Sequence, residues 1–65
     1  MPTTITVEGM SCEHCEGTVE EALRDVRGVT DATADREAER ASVEGDADVS
    51  DLVRAVEDAG YTAHA

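Results

Sequence analysis

Large apolar side chains are scarce in this chain, and that scarcity limits what the chain can fold into. Phenylalanine and tryptophan are absent, and Tyr61 is the only aromatic residue among 65. A hydrophobic core must therefore be built from small aliphatic side chains. A domain of this length buries only about 60% of the surface of its unfolded chain. The sequence thus predicts one small domain that spans residues 1–65.

Apolar residues recur at helical spacing between Glu13 and Val26. This spacing places them on one face of a predicted first helix. Ser11 is a candidate for the residue that caps its start, and Gly28 is predicted to end it. The apolar face consists of Cys15, Val19, Ala22, Leu23 and Val26.

A second helix is predicted where apolar residues again share one face, from Val49 to Ala59. Asp48 and Ser50 are both candidates for the capping residue at its start. Gly60 follows the last apolar residue and is predicted to end the helix.

Four shorter segments have the composition of β-strands. The first alternates Ile5 and Val7 with threonines, which is typical of a strand with one buried face. A polar turn at residues 35–37 separates the second strand from the third. The predicted strands cover residues 3–8, 29–34, 38–44 and 61–65.

The predicted order of elements is βαββαβ, which is the ferredoxin-like pattern of the α+β class. In this fold two helices cover one face of a four-stranded antiparallel sheet. The pattern hosts many unrelated activities, so the fold by itself assigns no function.

The chain is strongly acidic, with sixteen Asp and Glu residues against five basic residues, all of them arginine. A net charge of −11 repels phosphates, which excludes nucleic acid as a partner. Such a charge destabilises the compact state until salt screens it, and at about 1 M salt the Debye length is only about 3 Å. An acidic excess without lysine therefore indicates a halophilic protein, with an ordinary acidic domain as the alternative.

The sequence predicts no insertion into a membrane, because it contains no run of 18 or more apolar residues. Residues 1–4 lack the basic and apolar regions of a signal peptide. We therefore expect a cytoplasmic protein whose cysteines stay reduced. The short lead before the first strand favours a free protein over a domain excised from a larger one.

The only two cysteines, Cys12 and Cys15, lie where the first strand connects to the first helix. The positive end of the helix dipole favours thiolates there, whereas Glu13 and Glu16 oppose them, so the sign of the pKa change is open. Two thiolates suit Cu(I), which prefers sulfur ligands and tolerates a low coordination number. An exposed loop with two ligands also leaves a coordination position open to the thiolate of a partner.

Other uses of the cysteine pair remain open at this point. A structural zinc site needs four ligands, which the chain supplies only if two copies share an ion, since His14 stands between the cysteines and His64 is far away along the chain. Zn(II), Cd(II) and Hg(II) also bind paired thiolates. A small thiol–disulfide oxidoreductase likewise carries two such cysteines at a helix N-terminus.

The segment Gly9-Met10-Ser11-Cys12-Glu13-His14-Cys15 resembles the GMxCxxC signature of heavy-metal-associated domains. This family includes copper chaperones and the N-terminal domains of metal-transporting P-type ATPases. The resemblance extends over essentially the whole chain, because the βαββαβ order matches and Gly60-Tyr61 is similar to the Gly-Tyr pair of bacterial members. The histidine before the second cysteine resembles prokaryotic copper chaperones.

The resemblance implies a role for each residue of the loop. The two cysteines would bind the metal, and His14 would face solvent and tune the loop or contact a partner. Met10 would pack beneath the loop, and His64 would have no role. The residues that would support the loop are Gly9, Met10, Ser11 and Tyr61.

The resemblance further implies a Cu(I) chaperone rather than an enzyme. It would pass one ion by thiolate exchange to the metal-binding domain of a copper-transporting P-type ATPase, or to a copper-responsive regulator. A monomer is expected, with a copper-bridged dimer as the alternative. The acidic surface departs from the charge-complementary docking of the family, so apolar contact around Met10 and Tyr61 is predicted to matter more.

Overall fold

The computed structural model describes residues 3–64, and within them two helices pack on one face of a four-stranded sheet. The strand order is β2-β3-β1-β4, and every neighbouring pair is antiparallel. The predicted ferredoxin-like arrangement is thereby confirmed. The elements are β1 (Thr3–Glu8), α1 (Glu13–Arg24), β2 (Val29–Asp35), β3 (Arg40–Gly45), α2 (Val49–Asp58) and β4 (Thr62–His64).

The core lies between the sheet and the two helices, and its residues come from the inward positions of each element. In β1 the buried residues alternate with exposed ones, as the sequence pattern predicts. Both helices bury residues four apart on the face toward the sheet. Tyr61 is half-buried and packs against the edge of this core. The buried residues are Ile5, Val7, Met10, Val19, Leu23, Ala32, Ala34, Ala41, Val43, Leu52, Val56 and Ala63.

Helix α1 differs from the prediction at both ends. Cys12, not Ser11, is the N-cap residue, because its backbone is extended while its carbonyl accepts the first helical hydrogen bonds. The helix ends at Arg24, two residues before the predicted Val26, and its C-cap is Asp25, so Gly28 does not end it. The N–H of Val26 bonds to the carbonyl of Leu23, three residues back, so the chain tightens into a turn there.

The hairpin between β2 and β3 is longer than the predicted turn at residues 35–37. Asp35 Oδ1 accepts the backbone N–H groups of Glu37 and Ala38, at 3.0 and 3.2 Å, which draws both residues into the turn. Glu39 has a φ of 54°, a left-handed conformation that a strand cannot contain. The third strand therefore begins at Arg40, and the prediction that it begins at residue 38 is wrong.

The second half of the chain follows the prediction more closely. Asp48 is the N-cap of α2, and Ala59 and Gly60 end the helix. The short last strand covers Thr62–His64, and Ala65, which the prediction included, lies outside the described residues. None of the helices within residues 3–64 is long and apolar enough to cross a bilayer.

This topology gathers four segments at one end of the sheet. Strand β1 ends there, α1 begins there, and β4 starts beside Glu8. The β2–β3 hairpin joins them, because Thr6 stands opposite Arg40 and the N–H of Val7 donates to the carbonyl of Glu39 at 2.8 Å. The loop that carries the cysteines thus lies between the sheet, the hairpin and the start of β4.

Candidate metal centre

The two cysteines lie together at the start of α1. Cys12 is the N-cap, and its carbonyl accepts the N–H groups of Cys15 at 3.0 Å and Glu16 at 3.2 Å. Their side chains therefore converge, and the two sulfur atoms lie 3.5 Å apart. Cys12 is exposed and Cys15 is half-buried against the core.

Both cysteines are free thiols, because 3.5 Å is far longer than the roughly 2.0 Å of a disulfide. Ser11 Oγ approaches the Cys15 sulfur at 3.8 Å instead of capping the helix. A reduced pair at this distance on the surface can place both sulfurs on one thiophilic ion.

The surroundings of Cys15 favour its thiolate. The Tyr61 hydroxyl contributes most to lowering its pKa, followed by the backbone of Ser11 and the Cys12 thiol. Partial burial opposes them, and the pKa of Cys15 falls from 9.0 to about 6. The pKa of Cys15 is thus lowered, in the direction that the sequence leaves open, and its thiolate is favoured.

Tyr61 reaches the cysteines because its backbone turns back over the end of α2, where its N–H donates to the Val56 carbonyl at 3.2 Å. Hydrogen bonding to Cys15, followed by burial, raises the pKa of the Tyr61 phenol. Gly9 has a φ of 97°, which lets the chain leave β1 sharply, and a Cβ at this residue would lie 3.6 Å from the Tyr61 ring. Tyr61 and Gly9 therefore stand beside the thiols.

We predict that Tyr61→Phe raises the pKa of Cys15 from about 6 toward 9.0, because the variant removes the largest of the effects that lower it. The measurement is the rate of Cys15 alkylation against pH in a Cys12→Ser background. The midpoint of that curve should move upward on removal of the hydroxyl. A midpoint that is the same with Tyr61 and Phe would contradict a hydrogen bond to the thiolate.

The remaining predicted residues lie around the thiols without joining them. Met10 is 9% exposed and belongs to the core, so it offers little apolar surface, and the predicted partner contact around Met10 and Tyr61 stays a prediction. His14 is exposed and lines an open groove on the outer side of α1 with Gly17. His64 pairs with Glu8, with Nε2 and Oε2 2.8 Å apart.

The candidate site offers two sulfur atoms in the part of the chain described. Within residues 3–64, no group of three or more Cys, His, Asp or Glu side chains is placed to hold an ion. One chain therefore does not supply the four ligands of a structural zinc site. An ion bound by two sulfurs keeps open coordination positions.

One neighbour of the thiols has contacts that the sequence does not reveal. The sequence assigns Glu16 only an effect on the helix dipole, yet its carboxylate bonds to Arg36 in the hairpin, twenty residues along the chain. No local pattern in the sequence predicts a pair so far apart along the chain. The sequence shows only that neighbouring elements carry acidic and basic residues.

Comparison with known proteins assigns the family. The model of the heavy-metal-associated domain matches residues 4–62. The chain is 43% identical over 60 residues to the copper chaperone CopZ of Staphylococcus haemolyticus (strain JCSC1435), with 88% of each protein covered. It is 45% identical over 60 residues to the copper chaperone CopZ of Staphylococcus aureus (strain Newman), again with 88% of each covered.

Solved structures show the same fold at similar identity. A CopZ metallochaperone superposes with a TM-score of 0.91 at 41% identity, covering 97% of this chain and 98% of that one. The N-terminal domain of a potential copper-translocating P-type ATPase from Bacillus subtilis, in its Cu(I)-loaded state, has a TM-score of 0.88 at 33% identity, covering 97% and 82%. With a family model matched over nearly its whole length, the chain belongs to the heavy-metal-associated domain family.

Proposed function

We propose that this protein is a Cu(I) chaperone that binds one ion through Cys12 and Cys15. The observation that carries the proposal is the pair of free thiols, 3.5 Å apart on the surface. Sulfur is the ligand that Cu(I) prefers, and Cu(I) accepts a site with few ligands. The relatives that are copper chaperones, similar over 88% of their length, support the same assignment.

The site suits transfer better than storage. Two thiolates and one Cu(I) carry a net charge of −1, and the exposed side of the ion remains open to attack. A thiolate of a partner forms a third copper–sulfur bond before one of the original bonds breaks, so the ion is never released to water. No substrate bond is made or broken in this exchange, and we assign the protein as a carrier rather than an enzyme.

The proposed recipient is the metal-binding domain of a copper-transporting P-type ATPase, with a copper-responsive regulator as a further recipient. The similarity to a Cu(I)-loaded ATPase domain supports this choice, since two related loops can exchange an ion symmetrically. We place the protein in the cytoplasm, where two free thiols stay reduced. It acts in this proposal as a monomer.

The test is transfer between purified proteins without oxygen. The protein loaded with one Cu(I) is mixed with a copper-free ATPase metal-binding domain, and the two are separated and assayed for copper. We expect the ion to divide between them within the time of mixing, whereas a small chelator at equal concentration takes it more slowly. A weak Cu(I) complex accompanied by rapid disulfide exchange would instead identify a thiol–disulfide oxidoreductase.

We further propose that the fold requires high salt, because the net charge of −11 is spread over a domain of 65 residues. Raising KCl from low to molar concentration is expected to raise the melting temperature of the metal-free protein. Each kcal/mol of relieved repulsion corresponds to about 4–8 °C in a domain of this size. A melting temperature that does not respond to KCl would remove the halophilic assignment.

A further inference from the structure

Glu16 connects the helical turn that carries Cys15 to the hairpin between β2 and β3. Its Oε2 accepts the backbone N–H of Arg36 at 2.7 Å, and its Oε1 lies 3.2 Å from Arg36 Nη1. The Glu16 side chain is only 21% exposed and that of Arg36 35%. A carboxylate held at two points, one of them a backbone group, fixes its own residue against the sheet.

The backbone of Glu16 is part of the cysteine turn itself. Its N–H donates to the carbonyl of Cys12, alongside the N–H of Cys15. The first N–H groups of a helix lack partners within it, and a side chain at the N-cap normally satisfies one of them. In the described residues Cys12 makes no such side-chain bond, so the turn lacks this usual source of order.

We propose that Glu16 is a positioning residue for the thiol pair. Its bonds to Arg36 hold the first turn of α1 against the hairpin and thereby keep Cys15 beside Cys12, where both sulfurs can bind Cu(I). Glu16 itself does not touch the ion. The proposal rests on the Cu(I) function proposed above. The contact between Glu16 and Arg36 orders the turn in place of the missing side-chain cap.

The helix offers a matched control one turn further on. Glu20 Oε2 accepts the backbone N–H of Ala34 at 2.9 Å, which is a similar contact, made to β2 instead of to the turn that follows it. The repeat arises because four helical residues advance about 6.0 Å and two strand residues about 6.6–6.8 Å. Glu20 thus attaches α1 to β2, as Glu16 attaches it to the hairpin turn, but Glu20 does not belong to the cysteine turn.

The experiment compares Glu16→Ala with Glu20→Ala in the full chain. Cu(I) affinity is measured anaerobically by competition with bicinchoninate, and the stability of the metal-free protein by urea. We expect Glu16→Ala to weaken Cu(I) binding about tenfold, which corresponds to re-ordering roughly one residue of backbone on binding. Glu20→Ala is expected to stay within about twofold of the wild type.

Two conservative variants separate the effect of the length of the Glu16 side chain from the effect of its charge. Glu16→Gln keeps an oxygen that can accept the Arg36 N–H and is expected to restore most of the affinity. Glu16→Asp keeps the charge but falls one methylene short, and is expected to bind Cu(I) as weakly as Glu16→Ala. If Glu16→Gln is instead as weak as Glu16→Ala while Glu16→Asp binds normally, the charge of Glu16 acts on the ion and the positioning role is overturned.

A readout without metal keeps this inference separate from the proposed function. In the metal-free protein, Glu16→Ala should speed hydrogen exchange at the Cys15 amide, whereas Glu20→Ala should speed it only near Ala34. Equal effects of both variants on the Cys15 amide would show that Glu16 only attaches α1 to the rest of the fold, and would overturn the proposal. Failure of the wild type to bind Cu(I) would defeat the chaperone function, while the exchange data still decide whether Glu16 orders the turn.

Discussion

Replacing either Cys12 or Cys15 with serine is expected to lower Cu(I) affinity by more than about 100-fold. Losing a side chain that only supports a metal ligand costs about 10–100-fold, and these substitutions remove a ligand itself. In the described part of the chain no third side chain stands ready to replace the lost sulfur. Serine oxygen is a poor ligand for a soft ion.

Anaerobic competition against a calibrated Cu(I) chelator measures this loss for each single variant. Ser42→Ala serves as the control, because Ser42 is exposed on β3 and its change alters one hydroxyl away from the loop. Its affinity should equal that of the wild type. A serine variant of either cysteine that still binds with wild-type affinity would show that the ion is held elsewhere.

Gly45→Ala is expected to cost about 2–6 kcal/mol of unfolding free energy. The φ of Gly45 is +128°, which is strained for any residue with a Cβ, and such strain costs about 1–3 kcal/mol. A Cβ there would also overlap the carbonyl oxygen of Gly28 and lie 2.9 Å from the backbone nitrogen of Thr30. Forcing atoms into such a contact adds about 1–3 kcal/mol. A domain of 65 residues is typically stable by only about 3–10 kcal/mol.

Gly60→Ala is the matched control, and urea unfolding in molar KCl measures both variants. Gly60 also has a positive φ, +99°, but a Cβ there meets no atom of the described chain within 4 Å. We expect a loss of about 1–2 kcal/mol from backbone strain alone. If the two variants were equally stable, the overlap of a Cβ at residue 45 with the backbone of Gly28 and Thr30 would not add to the cost.

Much of the fold could be predicted from the sequence because local patterns determine it. The alternation around Ile5 and Val7 identifies β1, and the apolar face that ends at Gly60 identifies α2. The end of α1 could not be predicted, since Val26 continues the apolar pattern although the chain has already turned. The pattern records which residues are buried, and a buried residue can belong to the turn after a helix.

The candidate site likewise could be predicted from the sequence only in part. The motif places Cys12 and Cys15 in one turn, and its spacing alone brings the sulfurs together. The effect of Tyr61 on the Cys15 pKa depends on a contact across 46 positions, so the sequence leaves even the sign open. The contact from Glu16 to the hairpin depends on how α1 lies along the edge strand. Such contacts follow from packing of distant elements, which no local spacing records.

One measurement tests the central claim most directly: anaerobic titration of the wild-type protein with Cu(I) in molar KCl, followed by a challenge with excess Zn(II). The two-thiolate site predicts saturation at one Cu(I) per chain and no displacement by zinc, since zinc prefers four ligands and Cu(I) does not need them. Saturation at one ion per two chains would indicate a shared site. Displacement of Cu(I) by Zn(II) would contradict the assignment of this protein as a copper carrier.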